Sequence, residues 1–171
     1  MELEGCVNEL LDILKREIQS YNMVSELLIL EEKNLIEFNT RELAENLEKQ
    51  EDVLSSIACL EKSRMQVLSR IGELSDEDPR MLSIKQLASM VTEPLKKKLL
   101  ETSHVLGTIY EDVKKKKATN TMLIRQGILL VESDIRTILS AIGSPRGKNT
   151  GYTKRAKQNQ CSGGVYIDGR M

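Results

Sequence analysis

Along the first part of the chain, apolar side chains return at intervals of three, four or seven residues, at Leu3, Val7, Leu10, Leu14, Ile18, Tyr21, Leu28 and Leu35. That recurrence draws one stripe on a helix of about 35 residues, with Ser25 and Glu32 as polar interruptions. The steps from Leu10 to Leu14 and from Leu14 to Ile18 are both four residues, which departs from a strict heptad and argues against a uniform coiled coil. The stripe stops at EFNTREL, where Asn39 or Thr40 can cap a new helix by accepting from an unpaired backbone N–H. A second stripe then passes through Leu43, Leu47, Leu54, Ile57, Leu60, Leu68 and Ile71. Two helices of equal length joined by a short polar turn make an antiparallel hairpin, about 50 Å long at 1.5 Å per residue.

GELSDEDPR gathers Gly, Ser, Asp and Pro and predicts a loop, after which SIKQLASMV predicts a short helix. Thr92, Glu93 and Pro94 open a third long helix, because proline is tolerated in a first turn whose N–H groups have no intrahelical partner. No proline occurs between there and Ile142, and Gly107 and Gly127 each weaken the helix by about 1 kcal/mol without ending it. The seam of this helix includes Leu95, Leu99, Leu106, Ile109, Val113, Ile124, Val131, Ile135, Ile138 and Ile142. Lys114, Lys115, Lys116 and Lys117 interrupt it. Four consecutive lysines cover every side of a turn, so at least one must point at a neighbouring helix and snorkel. The helix therefore divides into an inner half packed on the hairpin and an outer half from about Asn120. The outer half has apolar residues enough for two faces, including Met122, Leu123, Ile128, Leu129, Leu130 and Leu139. Its second face is exposed unless another molecule, or another copy of the chain, covers it.

Gly143, Ser144 and Pro145 stop the helix, and the segment after them is basic, Gly-rich and poor in aliphatics. The expected fold is all-α: an antiparallel helical hairpin plus a long third helix, an elongated bundle or coiled coil, with a flexible C-terminal tail. Residues 1–142 are expected to form one helical domain, with the hairpin at 2–73, a loop at 74–82, a short helix at 83–91 and the long helix at 93–142. Residues 143–171 are expected to form a flexible basic tail.

Composition supports helices over a sheet-containing core, since Phe38 is the only Phe and there is no Trp. The net charge of −1 conceals a polarity: residues 1–78 carry 19 Asp and Glu against 8 Lys and Arg, residues 79–142 carry 6 against 11, and residues 143–171 carry 1 against 6. An acidic front and a basic back can attract one another within a bundle. Nucleic acid is not expected as a partner, because the basic helix lacks stacking aromatics. Cys6, Cys59 and Cys161 are odd in number and far apart, which suits a reducing compartment. MELEGCVNELLD reads as neither a signal peptide nor a membrane anchor, so membrane insertion is not expected and a cytoplasmic location is.

The residues of catalysis are missing. His104 is the only histidine, no pair of histidines can hold zinc, and no G-x-x-x-x-G-K-[ST] or G-x-G-x-x-G loop is present to cradle phosphate. No enzyme, cofactor or metal is expected, and binding is the remaining class of function.

The segment from Leu27 to Leu68 resembles the FlgN family of flagellar export chaperones through Leu27, Leu28, Glu31, Leu35, Asn39, Leu43, Leu47, Gln50, Leu60, Glu61 and Arg64. Gln50 stands where that family usually has Lys, and Asn39 where it usually has Asp. KATNTMLI keeps the family's Asn120, Leu123 and Ile124 but has Lys117 at the position of another Asn. Tyr152 and YIDGRM echo its C-terminal end, with Ala156 where a Gly is common. The resemblance implies a chaperone that holds the hook–filament junction proteins FlgK and FlgL and brings them to the type III export gate, including its FlhA component. Client contacts are then expected on Asn120, Leu123, Ile124, Leu130, Val131, Ile135, Ile138, Leu139 and Ile142, and a gate contact on Tyr152. The alternative is a structural coiled-coil or adaptor protein that forms a homo-oligomer through the same C-terminal helix.

Overall fold

The computed structural model describes residues 2–78 and 82–142. Among these it contains four helices and no strand: α1 (Glu2–Ile36), α2 (Thr40–Ser75), α3 (Ile84–Ser89) and α4 (Glu93–Ile142). The all-α hairpin with a short helix and a long one after it is thus the observed architecture. The stop at Gly143 and the tail 143–171 lie outside the described residues. The chain separates into a unit of residues 1–133 and a second unit of residues 134–171, whose described part is the last turns of α4.

Local chemistry sets the helix ends. The Asn39 carboxamide accepts from the Glu42 N–H at 3.4 Å and caps α2. At the end of α1, Phe38 takes the left-handed conformation, φ 54°, and the Asn39 N–H reaches back to the Asn34 carbonyl at 3.0 Å. Asp76 closes α2 in the same manner, φ 56°. Ser83 and Gln86 form a reciprocal capping box on α3, which secures a helix too short to hold by itself.

Cross-helix contacts give the directions. Glu9 pairs with Arg70, Glu17 with Arg64 and Glu31 with Gln50, so numbering falls on α2 as it rises on α1, and the two run antiparallel. Thr92 bonds Glu4, Lys116 bonds Ser25 and Asn120 bonds the Leu28 carbonyl, so α4 runs parallel to α1. Lys116 is the lysine of the KKKK run that faces inward. Its ammonium donates to Ser25 Oγ at 2.6 Å, so a polar interruption of the α1 stripe meets the polar interruption of the α4 seam.

The buried positions keep a stricter repeat than hydrophobicity suggests. On α1 the buried or half-buried residues include 7, 10, 14, 17, 21, 24, 28, 31 and 35, an unbroken alternation of threes and fours. Glu17, not Ile18, occupies the position that an apolar reading assigns to Ile18, which removes the apparent departure from a heptad. The same alternation holds on α2 at 46, 50, 53, 57, 60, 64, 67 and 71, and on α4 from 95 through 99, 102, 106, 109, 113, 116, 120 and 123 to 127. Leu47 and Leu54, expected in the α2 seam, are 43% and 49% exposed, while Asn46 and Val53 face the neighbouring helices.

Packing therefore alternates along the helices. One apolar cluster joins all four elements, around Val7, Leu10, Leu14, Val67, Ile71, Leu87, Leu95 and Leu99. Each such side chain contributes about 1.5–3 kcal/mol by leaving water. The Glu17–Arg64 ion pair comes next, at 3.3 Å. A second apolar cluster comprises Val24, Leu28, Ile57 and Val113, with Tyr21, Val53 and Ile109 packed against it. Tyr21 meets Tyr110 edge to face at 5.9 Å. Among the described residues, no helix is long and apolar enough to cross a membrane.

Candidate partner-binding site

Beyond the second apolar cluster, four polar side chains from three helices converge. Asn120 Nδ2 donates to the Leu28 carbonyl at 2.9 Å and to Glu31 Oε2 at 3.0 Å. Gln50 Nε2 donates to the same Glu31 oxygen at 3.1 Å and to Asn46 Oδ1 at 2.7 Å. Asn46 Nδ2 completes the layer by donating to the Leu27 carbonyl at 3.0 Å. Glu31, Asn46 and Asn120 are all buried. A buried carboxylate requires donors, and only this alignment of the helices supplies Glu31 with amides from both α2 and α4. Like a polar residue at a core position of a coiled coil, the layer selects one register at some expense in stability. Asn120 Oδ1 has no partner there.

The other polar layer differs in character. Burial pushes the Glu17 carboxyl above its ordinary value, Arg64 pulls it partly back, and the charge of Glu61 raises it again. On the surface, hydrogen bonds from Lys116 and Ser25 hold the Asp112 carboxyl below its ordinary value. Among the described residues no three His, Cys, Asp or Glu side chains are grouped so as to hold a metal ion.

Past the Glu31 layer the seam opens into an apolar groove of about 460 Å³. Its walls are Asn34, Leu35 and Phe38 at the end of α1, Thr40 and Leu43 at the start of α2, and Leu123, Ile124, Gly127, Ile128, Val131 and Glu132 on α4. Gly127 continues the inward-facing repeat of α4, and a Cβ there would meet nothing within 4 Å. The floor of the groove is therefore open where any larger residue would fill it.

The residues expected to bind partners fall into separate groups. Leu123, Ile124 and Val131 line the groove. Leu130 lies on α4 outside its lining and is exposed, while Ile135, Ile138, Leu139 and Ile142 are exposed on the last turns of α4. Asn120 is 2% exposed and binds inward, beneath the groove. Tyr152 lies outside the described residues. Phe38, Gly127 and Ile128 were not singled out by the sequence as binding residues. The signal available for Phe38 was its place as the sole Phe, immediately before a capping Asn.

The family model described as FlgN protein matches residues 1–160. No curated protein and no solved structure matches the chain.

Proposed function

Since the chain belongs to the FlgN family of flagellar export chaperones, we propose that it holds the junction proteins FlgK and FlgL in the cytoplasm, prevents their premature assembly and delivers them to the type III export gate. The observation that carries this reading is the run of exposed aliphatic side chains on α4, from Ile124 at 40% to Ile142 at 76% exposed. An aqueous protein rarely leaves so many neighbouring apolar side chains uncovered unless another molecule covers them. Clients whose unassembled ends are amphipathic helices present the complementary stripe, and covering it blocks both aggregation and polymerisation. Contacts are assigned to Leu123, Ile124, Leu130, Val131, Ile135, Ile138, Leu139 and Ile142. Asn120 holds the helix that carries them. Tyr152 is assigned the contact with FlhA. Release comes from competition at the gate, for which micromolar to nanomolar affinity, about 8–12 kcal/mol, leaves binding reversible.

The test is co-purification of FlgK and FlgL with the Ile135→Asp, Ile138→Asp double variant. Loss of both clients with helical content unchanged is the expected result; unfolding of the variant would assign these residues to packing instead. The same exposed face also suits a self-associating adaptor. A solution mass showing a tight homodimer that ignores FlgK and FlgL would favour that second reading.

A further inference from the structure

We propose that the groove at the hairpin corner is a seat for an amphipathic helix bearing lysine or arginine beside its apolar stripe, with Phe38 as its anchor. The inference rests on the client-binding reading above and names the chemistry of the segment bound.

Phe38 is the first reason. It is 72% exposed, so it gains little from burial, and it occupies a left-handed conformation, φ 54°, that disfavours bulky side chains and is usually given to glycine. A glycine would close α1 equally well. The closure of the helix therefore explains the backbone at this position but not the ring, which stands at the mouth of an apolar groove. Strain retained at an exposed surface is characteristic of binding sites.

The shape of the groove is the second reason. Leu35, Phe38 and Leu43 face Ile124, Ile128 and Val131 across a floor opened by Gly127. Its volume, about 460 Å³, accepts a few aliphatic side chains, as a helix presents them at i, i+3 or i+4, and i+7.

Charge selects the partner. Residues 26–52, which make the corner, carry nine Asp and Glu against three Lys and Arg. Two of those three cations are engaged on their own side of the turn, Lys33 with Glu37 at 4.0 Å and Arg41 with Glu45 at 3.3 Å. On the α4 wall Glu132 lines the groove and Arg125 follows Ile124, so the excess of acid belongs to the hairpin side. A helix with cations flanking its apolar stripe is drawn to this rim, and an acidic one is repelled.

The experiment uses fluorescence anisotropy with three labelled synthetic 14-residue peptides and the full chain. One has leucines at helical spacing with lysines elsewhere; the second replaces lysine by glutamate; the third keeps lysine but replaces leucine by serine. The leucine–lysine peptide is expected to bind at least tenfold more tightly than either control. Phe38→Gly and Gly127→Leu are each expected to weaken it tenfold or more without lowering the thermal midpoint, since both changes suit the local backbone. Met65→Ser, an exposed change on α2 outside the groove lining, should leave this affinity within threefold, which separates loss at the groove from a general loss of binding. Unchanged binding in Phe38→Gly and Gly127→Leu overturns the groove proposal, whatever FlgK and FlgL do. Equal binding of the serine–lysine peptide overturns it in favour of charge alone. A homodimer dissociated by Phe38→Gly overturns it in favour of a second copy as the occupant.

Discussion

At one end of the hairpin the helices close completely, around Leu10, Ile71, Leu87 and Leu99, all at 0% exposure. At the corner between α1 and α2, where α4 also arrives, a comparable set of apolar side chains leaves a groove. What separates the two ends is α3. This helix of six residues brings Leu87 and Ala88 into the closed end, and the corner has only the turn through Phe38 and Asn39. The same heptad repeat thus yields a finished core where a fourth element fills the gap and an unfinished one where none does. Apolar residues at inward-facing positions do not make a core unless something completes the layer.

The largest expected effect tests that contrast directly. Leu10→Ala at the closed end should cost about 2–5 kcal/mol in urea unfolding, as cavity-forming changes in filled cores do. Ile128→Ala in the groove should cost about 0.5 kcal/mol or less, as surface changes do. Equal costs would mean that the corner is packed as tightly as the base. Asn120→Ala comes next, because it removes two donors from the layer that separates core from groove. It should cost about 1–3 kcal/mol, and hydrogen exchange should show the added opening in α4 near residues 113–127 rather than in the hairpin base.

The smallest effect concerns Glu17 in the layer between the two apolar clusters. With its carboxyl raised from an ordinary value of 4.5, chiefly by burial, the folded chain holds this proton more tightly than the unfolded chain. Stability from this group is therefore highest in acid and falls as pH rises through the window between the ordinary and the raised value. Glu17→Gln should flatten that part of the profile, read as urea midpoints collected from pH 4.5 upward. A steeper fall in the variant would show that Arg64 outweighs burial.

The starts of α2 and α4 were legible in the sequence because each is written in local chemistry: Asn39 before α2, and Thr92 with Pro94 before α4. The division of α4 expected near Asn120 falls too early: Asn120 is buried and the inward-facing repeat continues to Gly127, because Lys116 and Asn120 find polar partners on α1. The polar half of the seam was not legible. Glu17, Asn46 and Asn34 look like solvent-facing residues by composition, and their burial depends on partners supplied by other helices. Reading only apolar positions therefore selected Ile18, Leu47 and Leu54 as seam residues and hid the regular repeat. Glu31, Gln50, Arg64 and Asn120 were picked out only by the family resemblance, and the fold brings Glu31, Gln50 and Asn120 together in one layer. The groove was less visible still, because Phe38, Leu43 and Gly127 belong to three different elements.

The two polar layers also have a mechanical meaning. Glu17 with Arg64 indexes α1 against α2, and Glu31 with Asn120 indexes α1 against α4. A fifty-residue helix lying in a purely greasy track could creep lengthwise, trading one leucine contact for the next. A slip of α4 by one heptad, about 10 Å, would instead bring Val113 or Gly127 level with Glu31, and neither side chain can donate to it. Lengthwise creep is thereby replaced by discrete notches, and the α4 wall of the groove stays opposite Phe38.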